Sequence, residues 1–320
     1  MKARNQWQGI KFVVGVAALC AFVASARSAV LIDETFDTGY NRTANNIASS
    51  NMAWYKGRNN EVATVNPGSL SFSVSVNQGA EAYWGYFTDP TANFAIAGTS
   101  SSVVNGHTVL GVGDTLIASV SFYWTTVPSD TSTASIRFGL FDTSSGRSMN
   151  DLNGGASSSM FTNNPGFATF VSLMSVSTNN GISILRHTTL TTTGLFGTSG
   201  DYSQLDGSVG GNSIAQSSGE NVTLQLSVYN GGSSWTLSSA LYDTSTETLL
   251  EGGSVTTSDG TGLGSFSMMG FRVPRMADAT AGGPYVFTDL NVSVIPEPST
   301  LMLAVSGLAM AIMAIRRRRS

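Results

Sequence analysis

The sequence predicts an all-β protein, an antiparallel sandwich of two sheets, and three observations point there. Hydrophobic residues through the middle of the chain recur with a period of two, as strands with one buried and one wet face require. Turn-forming clusters separate the apolar runs at short intervals. Composition agrees: 35 glycines and many Ser, Thr and Asn disfavour helix, while Val, Thr, Tyr and Phe suit strands. A hydrophobic share of 41% is enough to build a core, which argues against disorder.

The strands follow in order. Leu70, Phe72, Val74 and Val76 alternate with serines. Leu116, Ala118, Val120, Phe122 and Trp124 repeat the pattern, as do Ile136, Phe138 and Leu140. Val222, Leu224, Leu226 and Val228 precede Asn230-Gly231-Gly232, and Trp235, Leu237 and Leu241 come after it. Two alternating runs around such a turn predict an antiparallel hairpin. Val286, Thr288, Leu290, Val292 and Val294 form the last strand. Other turns are expected at Asn66-Pro67-Gly68 and Gly111-Val112-Gly113-Asp114. Residues 143–165 and 191–219, rich in Gly, Ser, Thr and Asn, read as long surface loops. Phe141-Asp142-Thr143-Ser144 and Tyr242-Asp243-Thr244-Ser245 echo each other after a strand, so each Asp is expected to close an Asx-turn. No stretch between these runs has helical periodicity, and no linker divides them. Residues 27–295 therefore form one domain.

Both ends differ from this body. A basic segment ending at Lys11 leads into the apolar run Phe12 to Val23, and Ala24-Ser25-Ala26 supplies an A-x-A cleavage site. That order predicts a secretory signal peptide, a helix over 1–26, removed after Ala26 by signal peptidase once the translocon has engaged it. Cys20, the single cysteine, leaves with it, so the mature chain has no disulfide, thiol chemistry or Cys-ligated zinc. At the other end, Pro296-Glu297-Pro298 precedes an apolar stretch over 299–315 and then Arg316, Arg317, Arg318 and Arg319. The prolines stop the preceding strand. At about 1.5 Å per residue the stretch predicts a short transmembrane helix, and the arginines hold its end at the cytoplasmic face.

Three parts in this order, over 296–320, resemble the PEP-CTERM sorting signal. The resemblance implies that Pro296, Glu297 and Pro298 are recognised by an exosortase-type protease. The chain would then pass from an inner-membrane intermediate to the cell surface, outer membrane or extracellular matrix. The body has a weaker resemblance. Leu31 to Gly39 and Tyr285 to Val294 resemble the first and last strands of concanavalin A-like, lectin-like jelly rolls, whose ends pair side by side. Ile136 to Asp142 resembles a central strand of such bodies.

Chemistry is sparse. Between residues 27 and 295 nine basic side chains face nineteen acidic ones, which repels nucleic acid. His107 and His187 lack a neighbouring nucleophile motif such as G-x-S-x-G. The E-x-D-x-E strand by which retaining glucanases of this fold resemble one another is missing. No cofactor motif is present, and the one candidate ligand set is structural: Asp33, Glu34, Asp37 and Asp289 could offer calcium oxygen donors where first and last strands meet. The same acids could be edge charges that guard against strand pairing. Trp54, Trp84 and Tyr86 are candidates for stacking on sugar rings, with Trp84 and Tyr86 on the face opposite Tyr83. The leading expectation is a non-enzymatic structural or adhesive surface protein. A protein that binds extracellular polysaccharide is the alternative, and a polysaccharide-degrading enzyme comes third.

Overall fold

The computed structural model describes residues 28–36, 47–48, 53–56, 62–73, 81–125, 135–147, 164–172, 181–187, 202–205, 219–258, 263, 265–273 and 285–296. Among them are twenty strands and no helix, so no described helix is long and apolar enough to cross a membrane. The signal segment, the transmembrane stretch and the Arg cluster lie outside the described residues.

Eight strands make the first sheet: Ala29–Glu34 (β1), Val62–Asn66 (β4), Ser69–Ser73 (β5), Asp114–Trp124 (β10), Val222–Asn230 (β15), Trp235–Asp243 (β16), Thr248–Thr257 (β17) and Tyr285–Pro296 (β20). Their order is β17-β16-β15-β10-β20-β5-β4, with β1 also on β20. Eight more make the second: Ile47–Ala48 (β2), Ala53–Lys56 (β3), Glu81–Tyr86 (β6), Ser135–Phe141 (β11), Gly166–Ser172 (β12), Ile182–His187 (β13), Tyr202–Gln204 (β14) and Met268–Val273 (β19). Here the order is β14-β13-β12-β11-β19-β6-β3-β2. Phe94–Ala95 (β7), Ser102–Val104 (β8), His107–Val109 (β9) and Ser265–Phe266 (β18) form a small third sheet, ordered β18-β9-β8-β7. The described strand pairs are all antiparallel.

The alternation seen in the sequence sets which face is buried. Leu116, Ala118, Val120, Phe122 and Trp124 of β10 and Val222, Leu224, Leu226 and Val228 of β15 point into one core with Ile136, Phe138 and Leu140 of β11. Each such aliphatic side chain contributes about 1.5–3 kcal/mol by leaving water. Phe271 of the second sheet stacks on Phe287 of the first, centroids 4.4 Å apart. Thr169 and Ser239 share a hydroxyl contact of 2.7 Å inside this core, so neither buried oxygen is orphaned.

The hairpin of β15 and β16 pairs Val222 with Asp243 and Asn230 with Trp235. Its tip is Gly231–Ser234, closed by Gly231 N–H donating to Ser234 O at 2.9 Å. First and last strands pair as expected, Ala29 with Val294 and Glu34 with Leu290.

Three expectations need correction. A bulge beside Thr288 shifts the phase of β20, so Tyr285 and Phe287 enter the core in place of the expected Val286 and Thr288. Residues 202–204 are a strand, not loop, because Tyr202 packs against His187 of β13 at 4.9 Å. Finally, the body has a third sheet. Its inward residues Val103 and Phe266 join the main core, where Phe266 meets both Phe167 and Trp235 and so closes one end between the two large sheets.

Candidate functional site

Pro296 is the last residue of β20 and pairs with Asp114 at the start of β10, so the strand stops at the first of the two prolines. Glu297, Pro298, Ala24, Ala26 and Arg316, Arg317, Arg318 and Arg319 lie outside the described residues.

The aromatic candidates are placed where a sugar cannot reach them. Trp54 is 1% exposed and meets Phe271 in the main core at 5.5 Å. Trp84 and Tyr86 do share the face opposite Tyr83, as alternation requires, but that face is covered: they are 0% and 8% exposed. Tyr55 stacks on Trp84 at 5.9 Å, and the ring of Phe141 lies so close to Gly139 that a Cβ there would sit 2.7 Å from it. Large rings gain more from burial against each other than from facing water, and this second aromatic cluster is the result.

The four acids do not converge. Alternation puts Asp33 on the outer face beside Asn291, while Glu34 turns inward and is 1% exposed. Glu34 Oε1 accepts the Phe36 N–H at 3.0 Å and so closes the turn that ends β1. Asp289 shares the surroundings of Asp33; burial and then the Asp33 charge push its carboxyl above the ordinary range. Asp37 lies outside the described residues, and among those described no three potential ligands gather round one point. The calcium set is therefore not assembled by the residues seen.

The two histidines sit in different settings. His187 is buried, its Nδ1 2.8 Å from Asn164 O, with its ring against Tyr202. His107 of β9 places Nδ1 3.7 Å from Asp142 Oδ1, beyond hydrogen-bond reach. Asp142 receives the Ser265 hydroxyl at 3.0 Å and the Ser144 N–H at 2.7 Å. The serine proton therefore goes to the carboxylate and not to the imidazole, which is not the wiring of an activated nucleophile. The Ser144 bond is the Asx-turn expected from the sequence; Asp243 makes its twin with Ser245 N–H at 2.8 Å.

Burial holds the His107 imidazole below its ordinary range; Asp142 opposes that and Arg147 reinforces it. The fold thus prefers neutral His107. The stability this brings is present above the ordinary value of about 6.5 and is lost as pH falls through it toward the lower folded value. Thermal melts from neutral to mildly acidic pH are expected to decline less steeply for His107→Gln than for the native chain. Parallel profiles would refute this assignment.

One polar group has both order and exposure. Arg147, at the end of the turn after β11, lays its guanidinium over the Tyr86 ring at 4.8 Å. Its Nη1 donates to Thr88 O at 2.7 Å, and Nη2 donates to Thr88 Oγ1 at 3.1 Å and to Gly106 O. A planar fork thereby ties together three loops remote in sequence. Gly106 N–H donates to Ala92 O at 2.9 Å, and Asn105 N–H to Asn93 Oδ1 at 2.9 Å. Asp89 Oδ1 accepts Thr91 N–H at 2.7 Å and Thr91 Oγ1 at 2.6 Å. These hydrogen bonds, with Arg147 nearby, hold the Asp89 carboxyl below the usual carboxylate range. Asp89, Thr91, Asn93 and Asn105 are all exposed. The result is a rim of carboxylate, hydroxyl and amide groups on a fixed frame.

Sequence reasoning missed this rim. Its one local signal is Asn105-Gly106 between two short apolar runs, and both residues have positive φ, 49° and 74°. That is the type I′ pattern of a two-residue hairpin, here joining β8 to β9.

Comparison with known proteins gives a likeness of chain path alone. No family model matches the chain, and no curated protein sequence does. Winged bean acidic lectin, solved with methyl-α-D-galactose, is 9% identical over 82% of this chain and 98% of its own, with a TM-score of 0.45. Basic winged bean lectin, solved with Tn-antigen, is 9% identical over 83% and 98%, TM-score 0.44. Arcelin-5, a lectin-like defence protein from Phaseolus vulgaris, is 12% identical over 81% and 98%, TM-score 0.42. Likeness at this level assigns no residue and no ligand to this chain.

Proposed function

We propose that this is an exported carbohydrate-binding sandwich that works at the cell surface or in the extracellular matrix. On this reading the signal over 1–26 directs secretion. Pro296, Glu297 and Pro298 mark the tail for an exosortase-type protease, and the trimmed body holds polysaccharide. The observation that carries the binding role is the exposed rim of Asp89, Thr91, Asn93 and Asn105, held in place by Arg147. Sugars present dense hydroxyls that both donate and accept. An ionised carboxylate offers about four lone-pair positions, and Thr91 occupies two of them. Groups fixed before the ligand arrives lose little freedom on binding, which favours a rim of this kind over flexible loops.

The test is retention of the processed protein, recovered from its own surface, on immobilised extracellular polysaccharide. Retention by the native protein and loss on Asp89→Ala are expected. A native protein that elutes with the void, or an Asp89→Ala variant retained equally well, removes the reading.

A second reading is favoured by a different feature. The outer face of the first sheet carries in-register hydroxyl pairs, Thr236 with Thr256 and Ser238 with Ser254 at 3.0 Å each. An uncharged hydroxyl face of this type suits a structural or adhesive role that involves no sugar site. In that case the surface protein remains in the matrix when Asp89 is replaced.

A further inference from the structure

Among the described residues, the large apolar side chains left in water are not scattered. Val112 is 66% exposed, Val30 56%, Phe94 50%, Val104 45% and Val109 39%. All five belong to one end of the sandwich. Val104 and Val109 lie on the outer face of the third sheet, since their neighbours Val103 and Thr108 point inward and are buried. Val112 follows in the turn that opens β10, against the β15–β16 hairpin tip at Gly232. Val30 enters at the same end, because Ala29 pairs with Val294 and Asp114 with Pro296. Leu249, 56% exposed, is the contrast: it lies beside Tyr242 at the opposite end, near the level where Val222 meets Phe122.

The exposed Asp89 carboxylate and the other polar groups of the rim border the patch on the side of the β8–β9 turn, whereas the carboxylate that follows Val112 is out of water. Asp114 is buried, its Oδ2 taking hydrogen bonds from Ser100 N–H and Oγ at 2.8 Å each and from Ser101 Oγ at 2.7 Å. The chain leaves the body at Pro296, across the ladder from Asp114 and next to Val112. The uninterrupted apolar stretch then begins at Leu301. Five residues span at most about 18 Å, roughly half the ~36 Å length of an eleven-residue strand such as β10. A body on so short a tether is held with this end nearest whatever holds the tail.

We infer that, while the tail is attached, the sandwich stands on the inner membrane on this end, with Val112, Val109 and Val104 dipping into the phospholipid interface. The inference rests on the reading of 299–315 as a membrane span. Single apolar residues on a surface need no partner, but a cluster confined to one end does, and a bilayer at tether distance supplies it. Removal of the tail frees this end, and with it the Asp89 rim, for polymer.

The full chain carrying Cys20→Ser is synthesised with phosphatidylethanolamine–phosphatidylglycerol vesicles, with a single Cys at Val112 or at Leu249 bearing an environment-sensitive fluorophore. Resistance of Arg316–Arg319 to added trypsin reports membrane passage of the tail independently. The Val112→Cys label is expected to shift to the blue and to be quenched by lipid-borne nitroxide several-fold more than the Leu249→Cys label. Equal quenching at both positions with protected arginines overturns the inference and leaves the tail reading intact. Cleavage at the arginines overturns both. A blue-shifted Val112 label that lipid nitroxide does not reach, on a dimeric protein, places a second copy on the patch and likewise overturns the inference.

Discussion

Phe271→Ala is expected to destabilise the fold by about 3–5 kcal/mol, the range for a buried aromatic truncated to a methyl. The reason is its position at the joint of the two large sheets. Phe271 is 1% exposed and stacks on Phe287 of the opposite sheet at 4.4 Å. It also meets Tyr83 at 5.6 Å and Trp54 at 5.5 Å, so its loss leaves three rings facing a void. Neighbouring backbone cannot close that void, because β19 is held on both sides by β11 and β6. Equilibrium unfolding in urea measures the change, and Phe94→Ala, at a ring half in water, is the control, expected within about 0.5 kcal/mol of native. A Phe271→Ala midpoint close to that of Phe94→Ala would mean that the sheets do not pack across this residue.

Gly106→Ala carries the second large effect, this time on binding. A Cβ at Gly106 would sit 2.4 Å from Asp89 O and 2.6 Å from Pro90 Cα, both backbone atoms that cannot rotate away. Its φ of 74° adds the left-handed cost, about 1–2 kcal/mol for a residue with a side chain. Gly68→Ala separates the two contributions, since Gly68 has a φ of 81° and no atom within 4 Å of the added Cβ. Gly68→Ala is expected to lose stability and keep polysaccharide retention. Gly106→Ala is expected to lose retention by an order of magnitude or more, the scale of about 1.4 kcal/mol of displaced contacts. Native retention by Gly106→Ala would exclude the Asp89 rim as the site.

Much of the fold was legible because its long strands repeat a simple instruction. The rows from Leu116 to Trp124 and from Val222 to Val228 show their buried face directly, and the structure buries those residues. The turn at Pro67-Gly68 and the two Asx-turns follow from residue types that bond their own backbone. Where the pattern failed, a specific cause is visible. Ahead of the bulge Tyr285, Val286 and Phe287 are all apolar, so alternation there does not choose which of them faces the core. Strands of two or three residues, such as β7 and β18, are too short to display any period. Alternation put Trp84 and Tyr86 on one face, but it carries no information about what covers that face. The rim was the least legible feature, since Arg147 joins residues 59 and 41 positions away and no local pattern encodes that meeting.

The pairing of Ala29 with Val294 beside that of Asp114 with Pro296 has a mechanical consequence. Tension applied to both ends of the body would peel β1 from β20 one hydrogen-bonded pair at a time, a weak geometry. Tension through Pro296 alone, against a load gripped at the distal turn after β16, instead strains the whole ladder from Asp114 to Trp124 together. A pull applied in that direction would be resisted by many bonds acting in parallel, without any disulfide.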